Sequence, residues 1–186
     1  LIQGARRVGK STVAEEFATN EYDTHILVDF AACSSEIRDL FNDVSDLNRI
    51  FMRLQLEYGI ELRERKSVII FDEVQLAPKA RQAIKYLVKD GRYDYIETGS
   101  LISIRKNVKD ILIPSEEVKL HMYPMDYEEF KWALGDTATI NLLQGCFHNR
   151  TSLGDATNRK LMRDFRLYML IGGMPQAVAS YLDTNN

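Results

Sequence analysis

The sequence predicts an α/β fold, in which a parallel sheet is flanked by helices and followed by a small C-terminal helical lid. Short runs rich in β-branched residues alternate with longer stretches of helical spacing, which is the pattern of successive β-α-β units. One of these runs, residues 68–71, is apolar throughout, as in a central parallel strand covered on both faces. A chain of 186 residues is also long enough to bury a core without disulfides or metals.

The first third of the chain holds two predicted strands and the helices after them. Residues 1–2 form a short first strand, and residues 10–19 follow as a helix with an apolar face. That face consists of Val13, Ala14, Phe17 and Ala18. Residues 25–30 are predicted as a strand, and helical spacing then runs from residue 34 to about residue 58 with a break at residues 43–46.

Three more elements follow the central strand before the lid. Pro78 suits the first turn of a helix, which we extend to residue 89. Residues 93–98 read as a strand that ends at Gly99, and residues 118–122 alternate as another strand. A helix is predicted at residues 126–134.

The last part of the sequence is helical throughout. The helical spacing starts near residue 138, is interrupted at residues 172–173 and ends in a short helix at residues 176–182. We therefore predict a core domain at residues 1–136, with its first strand truncated, and an incomplete lid at residues 137–186.

Composition and charge limit the class of protein. The chain has 24 lysines and arginines against 27 aspartates and glutamates, so a basic nucleic-acid-binding surface over the whole chain is excluded, although a local one is not. Two cysteines, Cys33 and Cys146, make no disulfide framework and fit a reducing compartment, for which we expect the cytoplasm. No apolar run reaches the ~18 residues of a membrane span.

Residues 4–11 match the phosphate-loop pattern G-x-x-x-x-G-K-[ST] at every fixed position. Glycines let backbone N–H groups surround phosphate oxygens, and the next helix directs its positive N-terminal end at them. Lys10 is expected to reach the β- and γ-phosphates, and the Ser11 hydroxyl to bind Mg²⁺. The alternative is a glycine turn beside a surface lysine. The predicted cofactor-binding residues here are Gly4, Ala5, Arg6, Arg7, Val8, Gly9, Lys10, Ser11 and Thr12.

An acidic pair, Asp72 and Glu73, follows the apolar run at residues 68–71. This pattern is typical of the strand beside a phosphate loop, where Asp72 would hold the Mg²⁺. Glu73 would then orient and deprotonate the attacking water, which predicts a hydrolase rather than a kinase. The alternative is that the strand simply ends in acids where it meets solvent.

Two further groups are candidates for contact with the reacting phosphate. Ser100 is the first choice and Thr98 the second, because they follow or end a strand whose carboxyl end faces the ligand crevice. A plain turn explains them equally well. Arg105 and Lys106 could supply a cation to the transition state, from this subunit or another.

Five motifs, in order and spacing, resemble the prokaryotic AAA+-like ATPases. They are residues 4–11, residues 71–75 (Phe-Asp-Glu-Val-Gln), residues 97–100 (Glu-Thr-Gly-Ser), residues 123–130 and residues 171–178. The resemblance implies an AAA+-type sheet with a helical lid, and Pro175 against the adenine base. For the Gly-Gly-x-Pro run itself, a helix break is the alternative. Members of this family carry a further C-terminal domain, nuclease-like or uncharacterised, which we expect outside this chain.

The residues and the resemblance together predict an ATP-binding domain that hydrolyses ATP with Mg²⁺ and couples hydrolysis to a conformational change. A nucleotide-dependent switch with negligible turnover is the first alternative, and a small-molecule kinase is the second. The expected partners are ATP and ADP, a second copy or another protein, and nucleic acid only through regions absent from this chain. The stretch at residues 104–108 lacks the Gly-Arg pair that many family members carry near their arginine finger.

Overall fold

The computed structural model describes residues 1–100 and 117–184, and it divides the chain into two compact units, Leu1–Met122 and Tyr123–Asn186. The boundary predicted near residue 136 lies inside the second unit. The assignment of domains to residues 1–136 and 137–186 stays a prediction.

The first unit is built on a parallel sheet of five strands with helices between them. The strands are β1 (Ile2–Gly4), β2 (Thr24–Asp29), β3 (Ser67–Asp72), β4 (Asp94–Ser100) and β5 (Leu120–Met122). The helices are α1 (Lys10–Glu21), α2 (Ser35–Asp39), α3 (Leu47–Tyr58) and α4 (Pro78–Asp90), with 3-10 turns at Leu40–Asn42 and Val74–Leu76. The predicted α/β class, with a parallel sheet flanked by helices, is confirmed.

The strand order is β2-β3-β4-β1-β5, so β3 is not the immediate neighbour of β1, the strand that leads into the phosphate loop. β4 separates them, and it pairs with β1 through Gly4↔Ser100 and with β3 through Phe71↔Glu97. An apolar run ending in an acid identifies a buried strand, but it does not identify which strand lies next to it. β4 also continues through Gly99, so Ser100 is the last residue of the strand and not the first residue after it.

The core of the first unit lies against β3, whose six residues are all buried. On one face Phe71 meets Phe30 and Phe41, with ring centroids 5.6 and 5.3 Å away. On the other, Ala14 and Ala18 of α1 pack against Val68 and Ile70 of β3.

The predicted apolar face of α1 is only half right. Val13 and Phe17 are each 49% exposed, whereas Ala14 and Ala18 are fully buried. Positions 14 and 18 lie one above the other on the helix, and their small side chains let the helix approach the sheet. Positions 13 and 17 lie about 100° round the helix from them and are directed away from the sheet.

The second unit is helical, as predicted. Its helices are α5 (Tyr127–Ala133), α6 (Thr139–Asn149), α7 (Asp155–Ile171) and α8 (Pro175–Thr184). Asp126 and Glu129 form a capping box that fixes the start of α5. Buried Lys131 donates to Asp136 at 2.9 Å and to Asp164 at 3.1 Å, which ties α5 to α7. Over residues 1–100 and 117–184, no helix is long and apolar enough to span a membrane.

Candidate functional site

The phosphate-loop motif connects the end of β1 to the start of α1. Gly9 has a φ of 96°, in the left-handed region that favours glycine, and the chain enters α1 at the next residue. Lys10 is buried, and its Nζ donates to the carbonyl oxygen of Ala5 at 2.9 Å. The ammonium group of Lys10 is therefore held inside the curve of the loop.

Gly4 is required by the sheet as well as by the loop. A Cβ atom at this position would lie 2.2 Å from the carbonyl oxygen of Met122 on β5. The same Cβ would lie 3.3 Å from a methyl group of Val8, whose side chain is buried. Only glycine therefore allows β1, β5 and the loop to approach this closely.

Three strand or helix ends meet at the carboxylate of Asp72. The Ser11 hydroxyl, in the first turn of α1, donates to Asp72 Oδ1 at 2.6 Å. The Thr98 hydroxyl on β4 donates to the same oxygen, and it accepts from the backbone N–H of Glu73 at 3.3 Å. Through these two hydrogen bonds, the fully buried Thr98 links the carboxylate of Asp72 to the backbone of Glu73.

Glu73 begins a tight turn after β3. Its φ is 52°, in the left-handed region, and the 3-10 turn Val74–Leu76 follows directly. The side-chain amide of Gln75 donates to Glu73 Oε2, and Gln75 itself is 4% exposed. The turn therefore brings a buried amide against the glutamate carboxylate.

A cleft of about 380 Å³ lies beside these contacts, at the carboxyl ends of the strands. Its polar lining residues are Arg6, Asp29, Asp72, Glu73, Gln75 and Ser100. This is the edge of a parallel sheet at which ligands usually bind.

A magnesium ion fits the donor set present here. Ser11 and Asp72 offer hard oxygen atoms that already lie 2.6 Å apart, within reach of one small ion. In the part of the chain that the structure describes, no group of three or more His, Cys, Asp or Glu side chains could hold a metal ion. A divalent ion at this site would therefore need phosphate or water oxygens as its other ligands, which is the usual situation for Mg²⁺.

The structure brings most of the predicted site residues together, but not all of them. Arg6 and Ser100 line the cleft, whereas Arg7 and Thr12 are exposed and Val8 packs inward. Thr98, the second choice, donates a hydrogen bond to Asp72, whereas no hydrogen bond between Ser100 and Asp72 is found in the described residues. Arg105 and Lys106 lie outside the described residues.

Sequence reasoning missed two residues of the cleft, Asp29 and Gln75. Asp29 ends β2 and pairs in register with Asp72, so an acid closing a second apolar strand was a signal in the sequence. Gln75 belongs to the motif at residues 71–75, but nothing in that motif indicates its contact with Glu73, which is made across a turn that begins with the left-handed backbone of Glu73.

The glycine pair before Pro175 has a structural role within the second unit. Gly172 has a φ of 79°, and a Cβ at Gly173 would lie 2.0 Å from the carbonyl oxygen of Met125. The Met125 N–H donates to the Gly173 carbonyl at 2.7 Å, and the Tyr168 hydroxyl donates to the Met125 carbonyl at 2.9 Å. The helix break is thus fixed by close packing, and Pro175 begins α8. The contact of Pro175 with adenine stays a prediction.

A buried charge cluster lies one residue from Thr98. Arg81 of α4 donates to Glu97 at 3.3 Å and to Glu117 at 2.9 Å, and all three side chains are nearly inaccessible. Burial raises the pKa of Glu97 to about 7, although the Arg81 guanidinium opposes the shift.

Comparison with protein families decides what kind of domain this is. A family model described as an AAA domain matches residues 1–131. The chain belongs to the AAA domain family. Membership supports a nucleotide-binding, ATPase-like function for the AAA domain, in agreement with the resemblance noted from its motifs.

Solved structures with a similar fold include two that are distant in sequence from this AAA domain. The Orc1 protein of Aeropyrum pernix, in complex with DNA, has 15% identity and a TM-score of 0.42, with 72% of this chain and 41% of that chain covered. PCH-2 of C. elegans has 11% identity and a TM-score of 0.38, with 72% and 37% covered. The AAA domain thus spans less than half the length of either protein. Comparison with curated proteins finds no match.

Proposed function

We propose that this AAA domain binds ATP together with Mg²⁺ and hydrolyses it. The observation that carries the proposal is the 2.6 Å contact between Ser11 and Asp72, which joins the phosphate-loop helix to the acidic strand although β4 lies between β1 and β3. Lys10 and Glu73 are the neighbours of these two residues in the sequence.

Phosphate binding is proposed for residues 4–12. Backbone N–H groups of the loop and the N-terminal end of α1 favour an anion at this place. The Lys10 ammonium group now donates to backbone carbonyls, and it would exchange these partners for β- and γ-phosphate oxygens. The glycines at positions 4 and 9 keep the loop backbone close enough to make these contacts.

Magnesium would be held by the Ser11 hydroxyl and the Asp72 carboxylate. When bound, the ion neutralises charge on the phosphates. The Thr98 hydroxyl, which contacts the same aspartate, would keep its carboxylate in place. Ser100 is proposed to lie near the reacting phosphate, because it lines the cleft at the end of β4.

Glu73 would accept a proton from the attacking water. Its carboxylate lines the cleft beside Asp72, and one of its oxygens, Oε1, has no hydrogen-bond donor among the described residues. General-base catalysis of this kind contributes about 10²–10⁴-fold to a rate.

The wider roles of the domain are also proposals. Hydrolysis would drive a change between the core and the lid, with Pro175 against the adenine base. We propose a cytoplasmic protein whose partners are a second copy or another protein. Nucleic acid would be contacted only through regions outside this chain, including a further C-terminal domain.

The test is phosphate release from ATP with Mg²⁺, together with binding of ADP. We expect Lys10→Ala to weaken nucleotide binding and abolish turnover, and Glu73→Gln to keep binding while turnover falls by about 10²–10⁴-fold. Lys85→Ala and Glu57→Gln, on exposed helix positions, serve as matched controls and should behave as wild type.

Two outcomes would contradict the proposal. Equal turnover in the wild type and both site variants would show that the reaction occurs elsewhere. Tight ADP binding without turnover, with a partner or oligomer present, would instead identify a nucleotide-dependent switch.

A further inference from the structure

We infer that Gln75 is a positioning residue, which holds the carboxylate of Glu73 in the orientation needed to accept a proton from water. This inference rests on the proposed hydrolysis of ATP. It assigns a role to the last residue of the motif at residues 71–75.

The hydrogen bond from Gln75 engages only one of the two carboxylate oxygen atoms of Glu73. The Gln75 amide donates to Glu73 Oε2, and over the described residues no other side chain donates to this carboxylate. A carboxylate that is anchored through one oxygen keeps a defined rotamer, while its other oxygen stays available for the proton of a water molecule. Fixed geometry of this kind is what general-base catalysis requires.

The amide is held by its own surroundings. Gln75 is 4% exposed and Val74 is fully buried. The turn is closed by two backbone hydrogen bonds, from Leu76 N–H to the Glu73 carbonyl at 2.9 Å and from Ala77 N–H to the Val74 carbonyl at 3.0 Å. Donor and acceptor therefore sit on one rigid turn, two residues apart.

Because the turn is rigid, the contact is better suited to orienting the Glu73 carboxylate than to keeping it inactive. A hydrogen bond that keeps a general base inactive must break when the nucleotide binds, which requires its donor and acceptor to move apart. Here both belong to the same short turn, so a displacement of neighbouring elements would carry them together. An amide is also suited to the task because it is neutral. A lysine would place a full positive charge on the carboxylate and weaken its ability to take a proton.

The experiment compares turnover with nucleotide binding in the full chain. Gln75→Met keeps a side chain of similar length without the N–H donor, and we expect kcat to fall by about 10–100-fold while KM and the Kd for ADP with Mg²⁺ change less than about twofold. Gln75→Leu, which also lacks the N–H donor and adds no charge beside Glu73, should show the same fall if the methionine variant does not fold.

Gln55→Met is the matched control. Gln55 is also partly buried and also hydrogen-bonded, from its amide to the Phe51 carbonyl and from the Leu62 N–H to its Oε1. It lies outside the cleft, so its variant should lose stability but keep kcat.

A double variant separates positioning from a general structural effect. If Gln75 acts only through Glu73, then Glu73→Gln with Gln75→Met should be no slower than Glu73→Gln alone. Additive losses, an unchanged kcat or a raised kcat in Gln75→Met would overturn the inference while leaving the ATPase proposal in place. Absence of turnover in the wild type would overturn the proposed function, and this inference with it.

Discussion

Replacing Thr98 by valine would remove the hydroxyl that links Asp72 to the Glu73 backbone, while nearly keeping the shape of the side chain. Thr98 is fully buried, so the Glu73 N–H would lose its acceptor, and Asp72 would keep only the Ser11 donor. A buried donor left unsatisfied costs about 1–3 kcal/mol, and a hydrogen bond to a charged group is worth about 1.5–3 kcal/mol. The two losses sum to about 2.5–6 kcal/mol, and because the bond from the Glu73 N–H is long, at 3.3 Å, we expect Thr98→Val to lower the free energy of unfolding by about 2.5–4 kcal/mol.

Urea unfolding measures this loss, with Thr98→Ser as the matched variant. Serine keeps the hydroxyl and loses one buried methyl group, which costs about 1 kcal/mol. The hydrogen-bond argument therefore requires valine to be clearly more destabilising than serine. If valine costs the same as serine or less, the hydroxyl contributes nothing beyond packing, and the reasoning about this link is refuted.

Two further predictions concern a glycine and a buried acid. Gly173→Ala should destabilise the second unit by about 1–3 kcal/mol, because its Cβ would overlap the Met125 carbonyl, whereas Gly145→Ala, in open space on α6, should stabilise by about 0.5–1 kcal/mol. Urea unfolding measures the free energy of unfolding of both variants, and equal values for the two would contradict the packing argument. Glu97, with its pKa raised from 4.5 to about 7, keeps in the folded state a proton that the unfolded chain has already released. The free energy of unfolding should therefore fall between about pH 4.5 and pH 7, by at most about 3 kcal/mol, and Glu97→Gln should reduce that fall, as measured by unfolding at several pH values.

The elements of this fold could be predicted because each one carries a local pattern. The apolar run at residues 68–71 marks a strand buried on both faces, and the proline at 78 marks the start of α4. The phosphate loop is equally local, since its glycines, lysine and serine are adjacent in sequence. For these parts, side-chain chemistry and spacing were sufficient.

Which strands and helix faces lie next to each other could not be predicted in the same way. The insertion of β4 between β1 and β3 depends on pairing over long sequence separations, and it decides that Thr98 rather than Ser100 meets Asp72. The exposure of Val13 and Phe17 likewise depends on which line of α1 faces the sheet. Gln75 reaches Glu73 across a turn in which the glutamate adopts a left-handed backbone, a conformation that its residue type does not favour.

The burial pattern of the second unit indicates that its helices unfold locally at a lower free energy than the parallel sheet of the first unit. Among its described residues only Phe130 and Val178 are buried apolar side chains, and α6 and α7 contain no buried residue. Local opening free energies follow the number of buried apolar contacts, so amide hydrogens of α6 and α7 should exchange with solvent long before those of β3. We therefore expect these helices to open locally while the parallel sheet stays intact.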